Sequence, residues 1–257
     1  IKMGFIMKVV AIIQARMNSN RLPGKVLMNL ANKPVLIHIV ERLSYCKLID
    51  SIVVATSNEN SDDSIAELCS RNNIECFRGS LNDVLDRYYQ SSKTYNAEAI
   101  LRITGDCPVI DPIIVDAVVD GYLKGNFDCY GLGGQFPDGL DCTVYSFRAL
   151  EKAWKEAVLP SEREHVGPYI EKNMELFNIG SLELFHGLEK ERWTLDEPSD
   201  YEFLTKVFDG LYEPHKPFLV NDILKFLNNN PDLYKINSTI TRNEGYLKSL
   251  KEDKLKK

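Results

Sequence analysis

Val9-Val10-Ala11-Ile12-Ile13 is a continuous apolar run that ends at Gln14, and it gives way at once to Ala15-Arg16-Met17-Asn18-Ser19-Asn20-Arg21-Leu22-Pro23-Gly24-Lys25. A strand apolar at every position reads as one buried on both faces, the habit of parallel sheets. Residues 52–56, 74–77 and 99–103 read as further strands, the one at 74–77 short. Helical spacing fills the gaps: Leu36, Ile39, Val40 and Leu43, then Ile65, Leu68 and Cys69, then Val84, Leu85 and Tyr88. This alternation predicts an α/β fold, a three-layer sandwich around a mostly parallel central sheet. Ligands of such sheets bind beyond the carboxyl ends of strands. The loops after Ile13, Thr56 and Ile103 are therefore where chemistry is expected.

The second half is less regular. Residues 127–130 and 143–147 read as strands around a Gly-rich loop, 131–139. Helices are expected over 147–157, 165–173 and 219–229 and from Pro198, with strands at 177–185 and 192–195. The Lys-rich tail from Glu244 reads as a solvated helix.

Composition narrows the classes. The chain has 257 residues, 44% hydrophobic and 26% charged, which excludes disorder and low complexity. The net charge of −6 argues against a nucleic-acid or anionic-membrane partner. Yet residues 1–42 hold seven basic side chains and one acid, Glu41. No stretch nears the ~20 apolar residues of a membrane span, and the run at 9–13 is too short for a signal-peptide core. The six cysteines form no C-x-x-C pair, so reduced thiols and a cytoplasmic location are expected.

Arg16, Arg21 and Lys25 sit in one loop, beside a Pro-Gly turn, at the end of a buried strand. Cations with free backbone N–H groups make a phosphate cradle. G-x-x-x-x-G-K-[ST] is absent, so this is no Walker loop. Asp106 follows Gly105 at another strand end and offers a hard oxygen to a divalent cation. Asp196 is either a second such ligand or the cap of the helix from Pro198. Asp138 and Asp141 lie three apart in a turn, placed for simple turn chemistry or for substrate hydroxyls. The segment Gly131-Leu132-Gly133-Gly134 lacks the third glycine of a dinucleotide fingerprint.

Residues 15–25 resemble the A-R-x-x-S-x-R-L-P-G-K signature of the sugar-acid cytidylyltransferases, which include the 3-deoxy-manno-octulosonate and acylneuraminate enzymes. Arg-Ile-Thr-Gly-Asp-Cys-Pro (102–108), Phe-Pro-Asp-Gly-Leu-Asp (136–141), Arg-Glu-His-Val (163–166) and Arg-Trp-Thr-Leu-Asp-Glu-Pro (192–198) are similar to the spore-coat polysaccharide biosynthesis protein F branch. Cys107 stands where octulosonate enzymes carry an acid. The resemblance implies a nucleotide-diphospho-sugar transferase fold, Rossmann-like, over 7–235. It implies 130–190 as a substrate and homodimer sub-region, with 236–257 as a peripheral tail. It implies that CTP and a small sugar or sugar acid give a CMP-linked sugar and pyrophosphate, with Mg²⁺, for surface polysaccharide or glycan synthesis.

By that resemblance the catalytic groups are Arg16, Arg21, Lys25 and Asp106. Ala11, Ile13, Ala15, Thr56, Arg78 and Arg87 surround the nucleotide, together with Arg16, Lys25 and Asp106. Asp138, Asp141, Glu164, His165 and Arg192 face the substrate, and Asp106 and Asp196 hold the metal. A glycosyltransferase of GT-A-like fold is the rival reading, but the chain has no Asp-x-Asp. A non-catalytic nucleotide-binding homologue would lack part of this set, and none of it is missing.

Overall fold

The computed structural model describes residues 7–242 and 244–255. The strands are β1 (Val9–Gln14), β2 (Asn29–Leu30), β3 (Lys33–Pro34), β4 (Ser51–Ser57), β5 (Glu75–Gly79), β6 (Ala99–Thr104), β7 (Cys129–Gly133), β8 (Thr143–Ser146) and β9 (Ile179–Glu183). β2 and β3 form a small ribbon. The other seven make one sheet in the order β5-β4-β1-β6-β8-β7-β9. Every neighbouring pair is parallel except the two that β8 makes. The expected mostly parallel α/β sandwich is what the chain forms.

The run at 9–13 is apolar throughout because both faces of β1 are covered. Val9, Ala11 and Ile13 enter one core, packed under α1 (Val35–Ser44), α2 (Asp63–Arg71), α4 (Pro112–Lys124), α8 (Pro198–Leu211) and α9 (Val220–Asn229). Val10 and Ile12 enter the other, under α3 (Val84–Thr94), α5 (Phe147–Glu156) and α7 (Pro168–Lys172). Burying such side chains stabilises by about 1.5–3 kcal/mol each, which fixes the strand in the sheet centre.

Two local devices bring the loops together at the carboxyl edge. The Gly105 N–H donates to the Gln14 carbonyl at 2.8 Å, and a Cβ on Gly105 would stand 2.8 Å from that same oxygen. Only glycine lets the end of β6 lie so close to β1, and this sets Asp106 beside the cationic loop. Asp62, fully buried, accepts from the Met17 N–H at 2.7 Å and from the Ser57 N–H at 3.1 Å. It thereby ties that loop to the end of β4. Burial alone would raise its pKa, but the donations from Met17 and Ser57 outweigh it and hold the carboxyl below its ordinary range.

Three expectations need correction. The helix foreseen over 165–173 is two, α6 (Pro160–His165) and α7, because Pro168 brings no N–H to the ladder and Val166 turns the chain at φ +69°. Residues 192–195 form no strand. The Trp193 and Leu195 N–H groups donate instead to loop carbonyls of Asp138 and Asp106, at 2.7 and 2.8 Å. The tail is not peripheral: α10 (Glu244–Leu255) packs on α6. Its Asp253 accepts from the Ser161 N–H at 2.9 Å and Oγ at 2.5 Å, and its Tyr246 meets His165 edge-on.

Arg42 of α1 is buried and donates to the carbonyls of Ile110 (2.6 Å), Val109 (3.3 Å) and Phe218 (2.6 Å). Burial pulls its pKa down to about 10. It pins the segment that follows Asp106 to the rest of the core. The Arg42→Met variant strands these carbonyls and should lose about 3 kcal/mol of unfolding free energy in urea. A loss under about 1 kcal/mol would refute the pinning role.

Candidate active site

A cleft of about 880 Å³ opens at the carboxyl edge of the sheet, walled by the 15–26 loop, the end of β6, the 138–141 turn, α6, the 192–196 segment and α10. Lys25 lies at its centre. Its Nζ is 2.8 Å from Asp106 Oδ2 and 2.7 Å from Asp196 Oδ1. Burial opposes the charged ammonium, but Asp106 and Asp196 together prevail and raise its pKa. Desolvation likewise opposes ionised Asp106, and Lys25 overrides it and holds the carboxyl well below the usual range. Lys25 and Asp106 are both charged at neutral pH.

The other two loop cations are also paired. Arg16 meets Glu164 at 3.0 Å, and Arg21 meets Asp196 at 2.8 Å and Glu197 and Glu244 at 3.3 Å each. Among the described residues, eight basic and eight acidic side chains line the cleft. A triphosphate added to that balance needs a cation brought with it. Asp106 and Asp196, converging on one ammonium, are hard oxygen donors suited to a divalent ion that takes its other ligands from phosphate and water. Among the described residues no three His, Cys, Asp or Glu form a cluster able to hold a metal by themselves. The donor set fits Mg²⁺ shared with a nucleotide.

The N-cap alternative for Asp196 fails. α8 is capped at Glu197, and the N–H groups of Asp196 and Glu197 both donate to Asp200 Oδ2, at 3.0 and 2.9 Å. The Asp196 side chain is left for Lys25 and Arg21.

Of the expected site residues, Ala15, Arg16, Arg21, Lys25, Arg87, Asp106, Asp138, Asp141, Glu164, His165, Arg192 and Asp196 line the cleft. Ala11, Ile13, Thr56 and Arg78 do not. Ala11 and Ile13 point into the first core, and Thr56 is fully buried within β4. Arg78 is spent on the Ser57 and Glu59 carbonyls, each at 2.9 Å, and on Asp63 at 2.7 Å.

Arg192 is a brace for this wall. It pairs with fully buried Asp200 through two 2.8 Å hydrogen bonds and with Asp138 at 3.0 Å. Asp138 still titrates high, near 6, because burial dominates and Asp141 adds like charge, which Arg242 and Arg192 only partly offset. Gly139, at φ +104°, lets this turn lie on Trp193, where a Cβ would come within 2.6 Å of its carbonyl carbon. His165 is neutral at pH 7. Burial first, then Arg102 and Arg16, lower it to about 4.

Sequence reading missed three groups of contributors. Asp62 positions the loop, and its signal was slight, an acid in a polar stretch. Arg102 and Gln14, on adjacent strands, each place a buried side-chain atom, Nε and Oε1, without a hydrogen-bond partner beside the cleft. Glu244, Tyr246, Lys248, Ser249 and Glu252 of α10 also line it.

A cationic loop set against paired aspartates, at the carboxyl edge of a mostly parallel sheet, defines a nucleotidyltransferase of the nucleotide-diphospho-sugar transferase fold. The family model for cytidylyltransferases matches residues 10–235. The chain belongs to that family and is a CTP-dependent nucleotidyltransferase. It is 41% identical over 239 residues to an uncharacterised protein of Methanocaldococcus jannaschii, covering 91% of this chain and 96% of that one. It is 32% identical over 232 residues to the spore coat polysaccharide biosynthesis protein SpsF of Bacillus subtilis, covering 87% and 95%. A solved cytidylyltransferase from Leptospira borgpetersenii superposes with a TM-score of 0.84 at 37% identity, over 89% of this chain and 97% of that one. α10 lies beyond the residues the family model matches.

The folded pKa of Asp138 lies above its unfolded value of 3.8. Keeping the proton therefore favours the folded state, fully below pH 3.8, and that contribution is lost as pH rises through about 6. Asp138→Asn should raise the melting temperature at pH 7–8, by a gain on the order of 1–2 kcal/mol. The gain should fade towards pH 4. A melting point lowered at pH 8 would contradict this reading of the turn.

Proposed function

We propose that this protein transfers CMP from CTP to a sugar or sugar acid with release of pyrophosphate. One observation carries the reading: Lys25, in the cationic loop, bridges Asp106 and Asp196 at the centre of the cleft. The acceptor oxygen attacks the α-phosphorus, and the bond to the bridging oxygen of the β-phosphate breaks. Negative charge grows on the departing pyrophosphate, where Arg16, Arg21 and Lys25 stabilise it. Asp106 and Asp196 would hold Mg²⁺, which supplies polarisation of the α-phosphoryl group and a more acidic acceptor hydroxyl. Ala15 and Arg87 border the nucleotide. Asp138, Asp141, Glu164 and His165 bind the acceptor, with neutral His165 donating or accepting a hydrogen bond rather than supplying charge.

The product is an activated sugar for surface polysaccharide or glycan synthesis in the cytoplasm. Residues 7–235 act as one transferase domain, and 130–190 supplies the substrate wall and a homodimer contact. No helix among the described residues is long and apolar enough to cross a membrane.

Pyrophosphate release with Mg²⁺ tests the reading, crossing CTP, UTP, ATP and GTP with sugar acids and phosphorylated sugars. CTP should support release with at least one acceptor. Asp106→Asn should lower that turnover by about 100-fold or more. Absence of release from CTP with every acceptor would overturn the assignment, and near-normal turnover in Asp106→Asn would overturn the metal site.

A further inference from the structure

Arg102 is a strongly basic, deeply placed residue of the cleft that the proposed chemistry leaves unused. It lies on β6 opposite Ile12 of β1 and Thr143 of β8, two positions before Thr104. β1 and β6 are parallel, so its side chain shares a sheet face with Ile12 and Ile100 of the second core. It therefore rises into the cleft from the floor, deeper than the strand ends where Asp106 and the loop cations lie.

The guanidinium is charged, and among the described residues no acceptor takes a hydrogen bond from it. Nε is buried with no hydrogen-bond partner, and among the described residues no carboxylate lies within ion-pair distance of the side chain. The other cations of the 15–25 loop each hold a carboxylate, as do Arg163 and Arg192. Leaving a buried charged donor unmet costs more than leaving a neutral one. A site that keeps such a donor in a cleft is built for a charge that arrives from outside.

Its surroundings say which end of the reaction that charge belongs to. The charged and titratable groups facing Arg102 are Tyr88 of α3, Tyr145 of β8, Asp141 of the 138–141 turn, Asp106, Glu171 of α7 and His165 of α6. Most come from the acceptor wall rather than the phosphate loop. We propose that Arg102 is the specificity-determining residue for the acceptor, taking an anionic oxygen group, carboxylate or phosphate, at the floor of the cleft. This rests on the reading of the cleft as a transferase site. Neutral sugars of the same size leave Arg102 unmet and are rejected.

The test reads the Nε–Hε resonance of Arg102 by NMR in protein saturated with CTP, assigned by its loss in Arg102→Gln and, should that variant not fold, in Arg102→Lys. The probes are pyruvate, inorganic phosphate and methyl pyruvate, none of which offers a sugar hydroxyl for transfer. The resonance should move downfield with pyruvate, marking a carboxylate acceptor, or with phosphate, marking a phosphorylated one, and should stay with methyl pyruvate. In the pyrophosphate assay Arg102→Gln should raise the KM of an anionic acceptor about 10–100-fold and leave that of CTP unchanged, with partial recovery in Arg102→Lys. A resonance unmoved by both anions, or moved fully by CTP alone, overturns the proposal. Lack of pyrophosphate release by the wild type would sink the transferase reading while leaving the anion titration to stand by itself.

Discussion

The site depends on one ammonium held by two carboxylates. Lys25, Asp106 and Asp196 come from three remote parts of the chain and meet within hydrogen-bond distance. Burying three charges is costly unless each is paired, so the trio forms only where the fold brings these segments to one point. β1 and β6 do this by lying side by side, and Gly105 does it by having no Cβ. Asp200 does it by gathering the N–H groups of Asp196 and Glu197 and the guanidinium of Arg192.

That arrangement explains the cleft's electrical balance. In the free protein its carboxylates act as counter-ions to the loop cations. A triphosphate would exchange some of these pairings for its own, and the released aspartates would be free to hold the accompanying cation. The opposite wall follows another logic. Asp138 is held at a charge it resists, and Arg102 carries a charge that no carboxylate among the described residues meets. Both oppose stability, and such groups are expected at ligand sites, where for Arg102 the ligand would supply the partner.

Much of this was legible from one strand and its loop. Val9 to Ile13 told the number of layers, because a strand apolar at every position is one covered on both faces. Arg16, Arg21, Lys25 and Asp106 were legible as candidates because they follow β1 and β6, at strand ends where parallel sheets bind ligands, whereas Asp196 came from a strand that the chain does not form. Ala11, Ile13, Thr56 and Arg78 misled, since they were placed by likeness to other enzymes while their own positions in β1, β4 and β5 turn them into the core or onto neighbouring carbonyls. Arg102 was hidden inside an apolar strand, where only the register against β1 and β8 tells which face it takes. The wall made by α10 was hidden by composition. Its lysines suggest solvent, and the residues that dock it, Tyr246, Ser249 and Asp253, gain meaning only once α6 lies beside them.

The central claim is that the nucleotide's phosphates bind where Lys25 meets the two aspartates. Calorimetric titration of CTP into the wild type and into Lys25→Met, with Mg²⁺ and with a chelator, measures it directly. The account predicts tighter binding with Mg²⁺ in the wild type and a weakening of about 10–100-fold in Lys25→Met that retains native circular dichroism. Equal CTP affinity in the two proteins, with no response to Mg²⁺, would contradict it.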